Sequence, residues 1–497
     1  QFYFFKFDLF YFIIYIYKMS NPRPQDLANI KKRFLQLHPV NATSGGVFSF
    51  RNGLPLIKFD ISSSEMPLFL DGGALRISGL FTAKQGAAGA QLNNTQLNFL
   101  NGFAGFSQCI ENITIYSKRL NTVLERINMY YRLAPSITSG SASFKEMETT
   151  ISNHGGQHGT TPLTRPGLNC YDGFSQTGVV AGAANQRGQA FSMPLYCGML
   201  NSGQDIDLST QAQGGMVIEI LLRSSVGTVF GADALANQAF YEISNLVLTA
   251  PVYQMGGASA QAYQNQVQQY NFNSWSSMFQ TINASNSVLS ATPGLGRVSS
   301  VLMNAITAAD LGNQNFDSCR LGNIGEIRQL RFSRNGALFP LQYRLQTVSQ
   351  QNNDVAKAVA GNNNSYNVLS VNADIFRNYL EGLLTDGYAK VRSCNGAFQN
   401  WSGGSVNRTQ NSGRSGETPG TSDGFAILYD KYGSGSDFTN TVFSLELQTS
   451  ATSQLTIGAA NVVNGIDGSA AQAQAVTIFF LNKNTLLFSG NGIDIVR

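Results

Sequence analysis

Met216, Ile218, Ile220 and Leu222 place an apolar residue at every second position, with Glu219 and then Arg223 on the opposite side. A period of two belongs to a pleated strand with one face turned inward. The same alternation recurs at 47–50, 74–81, 110–116, 241–248, 327–332, 442–447 and 476–488. Clusters of Gly, Asn, Ser and Pro separate these stretches, as they do strands in general. The pattern predicts an all-β protein.

Helical spacing interrupts it rarely. Leu120, Val123, Leu124, Ile127 and Tyr131 fall at i, i+3, i+4, i+7 and i+11, which predicts a helix. Ile375, Phe376, Tyr379, Leu380, Leu383 and Leu384 predict a second, with Asn372 or Asp374 able to cap its start. A weaker third spans 27–37.

The halves of the chain follow one order. Each has strands, a helix, and then a long Gly/Asn/Ser-rich loop, at about 136–190 and 394–423. A short aromatic strand comes next, FSMPLY or FAILYD. An alternating strand follows, GGMVIEILL or NTVFSLELQT, and then a closing strand, FYEISNLVLTAPVY or AVTIFFLNKNTLLF. Corresponding stretches lie about half the chain apart, so the sequence reads as two copies of one β domain. The joint falls near 256–266, in QMGGASAQAYQ. About eight strands and one inserted helix per copy predict sandwiches closed by sheet packing, and jelly rolls fit that number. The division is then 45–258 for the first unit and 259–497 for the second, preceded by an arm at 19–44. Residues 1–18, QFYFFKFDLFYFIIYIYK, read as translation of upstream sequence or a disordered segment, with Met19 opening an ordinary polar N-terminus. The other reading of this stretch is a membrane anchor, against which stand Lys6, Asp8 and the scattered aromatics.

Composition narrows the function. Of 497 residues only 12% are charged, while 43% are hydrophobic and 50 are glycine. Soluble domains usually carry about 25% charge, so many surfaces of this chain are expected to be covered. A net charge of +4 is too small for a dedicated nucleic-acid binder. Five cysteines, Cys109, Cys170, Cys197, Cys319 and Cys394, form no CxxC pair and read as buried free thiols.

Catalytic groups are sparse. His154 and His158 sit in the glycine-containing NHGGQHGTT, with no third metal ligand nearby. Asp205 and Asp207, two apart, are the pair to consider for glycoside hydrolysis, but a turn and a strand entry account for them. Trp275, Trp401, Tyr130 and Tyr131 could stack on sugars or lie in a core. The concentrated positive feature is Lys31, Lys32 and Arg33 with Arg23 before them. They form either the solvated face of a short helix or an arm that touches an anionic partner. No phosphate loop or nucleophile elbow is present. Assembly or binding is therefore the expected work of the chain, the second choice being a carbohydrate-binding adhesin or fibre protein.

Three stretches carry a family resemblance. GFAGFSQCIENITIYSKRLNTVLERINMYYRL resembles a strand-then-helix passage of the first jelly roll in double jelly-roll major capsid proteins of double-stranded DNA viruses. FSMPLYCGMLNSGQDIDLSTQAQGGMVIEILL resembles that family's Pro-Leu strand, loop and alternating strand, and AFYEISNLVLTAPVY its closing strand. Polinton-like viruses and virophages are the nearest members. The resemblance implies two tandem eight-stranded jelly rolls with short inserted helices and long loops. It implies homotrimers of pseudo-hexagonal outline tiling an icosahedral shell, with no cofactor and no reaction. The loops at 136–190 and 394–423 would stand on the outer face. The arm with Arg23, Lys31, Lys32 and Arg33 would lie beneath, toward an inner membrane, minor capsid proteins or genome, and penton proteins would be further partners.

Overall fold

A computed structural model describes residues 31–43, 45–61, 68–85, 90–91, 105–118, 121–141, 189–202, 205–208, 215–224, 240–254, 268–282, 286–307, 327–338, 345–349, 367–369, 425–429, 435–449, 474–489 and 492–496. The chain begins with β1 (Lys31–Leu37), β2 (Leu56–Ile61), β3 (Leu68–Leu70), β4 (Arg76–Gln85), β5 (Ala90–Gln91), β6 (Ile110–Ser117) and β7 (Val123–Asn128). Helix α1 (Tyr130–Ser141) follows, then β8 (Gln189–Pro194), β9 (Ile206–Asp207), β10 (Met216–Leu222) and β11 (Phe240–Gln254). Next come β12 (Gln268–Ile282), β13 (Asn286–Ala291), β14 (Val298–Thr307), β15 (Ile327–Arg334), β16 (Ala337–Leu338) and β17 (Leu345–Ser349). The last are β18 (Asn367–Leu369), β19 (Phe425–Tyr429), β20 (Phe443–Thr449), β21 (Gln474–Ser489) and β22 (Gly492–Val496).

Pairing order reveals the architecture. One row of antiparallel strands runs β1-β11-β4-β8 and a second β2-β10-β6-β7. After residue 267 the same two rows recur, as β12-β21-β14-β19 and β13-β20-β15-β17. Strand for strand, each position in the first pair of rows has its counterpart in the second. Eight strands that cross between two four-stranded rows in this way make a jelly roll. The short strands β3, β5 and β9 extend the first set, and β16, β18 and β22 the second. No sheet among the described residues mixes strands from the two sides of 255–267. The predicted joint lies within that stretch, outside the described residues.

The core follows from the period-two pattern. Met216, Ile218, Ile220 and Leu222 of β10 are buried, and they pair across with Ile57, Phe59 and Ile61 of β2 and Ile113 and Ile115 of β6. Glu219 on the other face meets Lys58 at 3.1 Å and the Tyr116 hydroxyl at 2.8 Å. Phe106 stacks on Phe191 with ring centroids 3.9 Å apart, joining the segment before β6 to β8. Each such apolar side chain contributes about 1.5–3 kcal/mol on burial. Asn335 and Gly336, with φ of 49° and 81°, form the tight turn between β15 and β16, a backbone path for which Asn-Gly is the favoured dipeptide.

β21 is buried on both faces. Phe480 meets Phe443 and Phe438 at 5.7 and 6.4 Å inside the second sandwich. Phe479 and Leu481, on the opposite face, belong to one apolar cluster with residues of the first sandwich. A strand covered twice needs apolar residues at successive positions, which is why Ile478, Phe479, Phe480 and Leu481 form an unbroken apolar run.

Two predicted helices are strands instead. The spacing at 120–131 gives way to β7, which pairs with β6, and helix begins only at Tyr130. β6 would otherwise leave a bare edge, and Asn121 at φ 51° turns the chain back to fill it. The stretch at 27–37 is described from Lys31 and forms β1, because Leu35 and Leu37 extend the buried face made by Ala250 and Leu248 of β11. Residues 47–50 form single bridges, Phe48 to Ile243 and Ser49 to Leu54, in place of a strand. Of the predicted loop at 136–190, residues 136–141 are helical and 189–190 lie in β8. The predicted helix at 372–384 and the loop at 394–423 lie outside the described residues.

Candidate assembly surfaces

The basic stretch near the N-terminus is divided by the strand that carries it. Arg23 lies outside the described residues, and Lys31 enters through its backbone, opposite Gln254. Successive strand residues face opposite ways. Lys32 therefore shares a face with Phe34, while Arg33 falls with Leu35 and Leu37. The Lys32 ammonium stands 5.4 Å from the Phe34 ring centre and 5.3 Å from that of Tyr253. Phe34 is 64% exposed. The result is a small cationic and aromatic patch on an edge strand.

A second surface joins the sandwiches. Glu125 on β7 is buried, and its carboxylate accepts three backbone N–H bonds. Oε1 takes Gly198 at 2.9 Å and Trp275 at 2.6 Å, and Oε2 takes Met199 at 2.9 Å. Gly198 and Met199 lie in the loop after β8, and Trp275 in β12, so one oxygen binds both halves. Burial pushes this carboxyl up to about 7, against the pull of the three amides toward the ionised form. The nearby Cys197 thiol is pushed well above its usual value by burial and by Glu125.

The segment 195–202 is wedged here. The Tyr196 N–H donates to the Tyr130 hydroxyl of α1 at 2.8 Å, and Ser202 and Tyr270 share a hydroxyl–hydroxyl bond of 3.0 Å. At Gly198 a Cβ would sit 2.7 Å from the Asn273 carbonyl oxygen, so only glycine allows this approach. Met129, between β7 and α1, holds a φ of 55°, a strained value costing about 1–3 kcal/mol. Its sulfur accepts from the Thr477 hydroxyl of β21 at 3.8 Å.

Polar residues line β12 and β21 beside this joint. Asn482 donates to Asn484, which donates to Ser274, and Asn482 also accepts from the Arg297 N–H at 3.0 Å. These side chains are buried yet uncharged, and their hydrogen bonds satisfy each other.

The residues considered for catalysis are scattered. Asp207 is buried in β9 against Phe69, and Asp205 precedes that strand. Trp275 is 1% exposed, which removes it from any sugar-stacking role. Tyr130 and Tyr131 are buried as well. His38 lies exposed after β1, while His154, His158 and Trp401 are outside the described residues. Cys109 and Cys197 are free and buried, as expected, and the other three cysteines are outside the described residues. No cluster of three potential metal ligands occurs among the described residues. No helix among them is long and apolar enough to cross a membrane. The spacing of the sequence pointed to the basic residues and missed Glu125, because nothing local marks a carboxylate whose partners stand 73 and 150 positions away.

No protein-family model matches this chain, and no curated protein matches it. Solved structures do. The quasi-atomic model of the PBCV-1 virus capsid aligns over 94% of this chain and 97% of its own, with a TM-score of 0.50 and 11% identity. The Faustovirus major capsid protein aligns over 93% and 91%, with TM-score 0.47 and 9% identity. For the mavirus major capsid protein the values are 93% and 90%, TM-score 0.42 and 8% identity. At such identity the likeness concerns the path of the backbone. Pairing order and the PBCV-1 comparison agree on it: the chain has the double jelly-roll fold.

Proposed function

We propose that this chain is a major capsid protein, which trimerises into pseudo-hexagonal capsomers and builds an icosahedral shell of the virion. The observation that carries this reading is one eight-strand pairing order occurring twice in tandem, along a chain whose backbone aligns almost end to end with a capsid structure. Three subunits of two similar sandwiches present six similar units around an axis, a near-hexagonal outline that can tile a surface. Low charge supports it, since large permanent interfaces bury more than about 2,000 Å² and exclude charge from their centres. The work is structural, by self-association, with no reaction assigned.

The first unit extends to residue 254 and takes in β1, which stands where β12 stands in the second; the second begins at β12. Residues before β1, with Arg23, form the arm, and the basic side chains of 31–33 stand at its root. Penton and minor capsid proteins are the expected partners, and an inner membrane or genome lies under the arm. No observation favours an adhesin.

Size-exclusion chromatography with light scattering, followed by negative-stain imaging, tests the function. A stable trimer of hexagonal outline is the expected result. A folded monomer at micromolar concentration would overturn it.

A further inference from the structure

β2 and β13 hold the same place in the two sandwiches, each at the end of its row opposite β7 or its counterpart β17. Lys58 of β2 and Val288 of β13 correspond, since each pairs with the single glutamate of the neighbouring strand, Glu219 of β10 or Glu446 of β20. The two edges are finished differently. Part of the segment between β1 and β2 straps the β2 edge. The Val40 N–H donates to the Lys58 carbonyl at 2.8 Å, and the Asn41 amide donates to the Leu56 carbonyl at 2.7 Å. The Lys58 N–H donates in turn to Asn41 Oδ1 at 3.0 Å, and the Lys58 side chain pairs with Glu219. β13 has no such segment before it, because β12 ends at Ile282 and β13 begins at Asn286. Val288 is 61% exposed, Ser290 is exposed beside it, and NSVLSA carries no charge. An open strand edge invites pairing, and proteins normally guard it with charge, proline, a bulge or a cover. β2 has charge and a cover. Among the described residues β13 pairs with β20 alone, in unbroken register, and its outer edge has neither.

We propose that β13 is a contact between copies of this chain, two such strands pairing edge to edge and antiparallel about a two-fold axis. The strap on β2 shows which groups turn outward: the N–H and C=O of Lys58, and by correspondence those of Val288. An axis through Val288 lets two copies exchange both of these bonds, as in a hydrogen-bonded antiparallel pair. Position 286 then falls opposite 290, outer face stays with outer face, and Val288 lies against its own copy. A second copy is the occupant because an uncharged edge meets itself without repulsion. β1, likewise an edge, would bring Lys32 and Arg33 of two copies together. Such a contact is isologous and closes with the pair. Its place between capsomers rests on the capsid reading. β7 touches β12 inside the chain, so β17 would face the next subunit of a trimer and β13, at the far end of the row, would be left outward. A strand of 6 residues gives a small and therefore weak contact, which repetition around each capsomer multiplies.

The test is sedimentation velocity of the full chain over rising concentration. The wild type is expected to associate reversibly beyond its basal unit. Val288→Lys sets two ammonium groups face to face and is expected to weaken that step at least about tenfold, with the basal unit intact. Lys58→Val, the reverse exchange on the strapped edge, leaves the step unchanged. Hydrogen exchange supplies a second reading, in which the Val288 amide gains protection as the wild type associates. The inference is overturned by a wild type that does not associate, by a Val288→Lys variant that associates as the wild type does, or by a Val288 amide that exchanges alike in both states. Should Val288→Lys not fold, the exchange measurement decides. The capsid reading is judged separately, by the basal unit: a monomer there overturns that reading, while monomers that pair through β13 uphold this one.

Discussion

β1 and β12 hold the same place in the two jelly rolls, each pairing with the closing strand of its own set, yet their surroundings differ. β1, KKRFLQL, has one face in solution, and charge and an exposed Phe34 occupy it. β12, QQYNFNSWSSMFQTI, carries no charged residue and is buried from Phe272 to Trp275 on both faces. Topology assigns the hydrogen bonds of a strand; what lies on its second face assigns the side chains. Asn, Ser and Trp are the answer where that face is another sandwich, because each can be covered once its polar atoms are paired.

That contrast can be broken from either side. Trp275→Ala should cost about 3–5 kcal/mol in urea unfolding, the range for a large buried aromatic. A cost under 1 kcal/mol would mean that β12 is not covered by the first sandwich. Gly198→Ala should cost about 1–3 kcal/mol, since the new methyl meets the backbone of Asn273. An unchanged unfolding midpoint would show that the loop has room to move. Asn482→Leu should cost a similar or smaller amount, about 1–3 kcal/mol, by leaving Asn484 and the Arg297 N–H without their partner. Thermal melting of the single variant reads it directly. On β1, Phe34→Ser should shift stability by less than about 0.5 kcal/mol. A loss as large as that at Trp275 would place Phe34 under a permanent cover.

The sequence showed the strands best where a single face is buried. Residues 112–117 of β6 alternate without a fault, and β10 departs from alternation only at the buried Val217. β7 misled because Leu124 and Ile127 fit a helical face as well as a strand, and Val123, which completes the helical pattern, is 46% exposed in the strand. Its true state depends on β6 offering a free edge, which is a property of the sheet. β1 misled for the same reason, with β11 as the edge. The two-fold repeat was legible because it needs only order. Glu125 was not, since its meaning comes from a loop and a strand that reach it from far along the chain.

The position of β21 has a bearing on how the molecule is made. It fills the middle of the second sandwich, and Asn484 on it bonds to Ser274, 210 positions earlier. While the ribosome is still adding those residues, β12 and β14 have no strand between them and show water two bare edges. Folding of this half must therefore wait for late synthesis, and chains stopped before 474 would be left as substrates for chaperones or proteases.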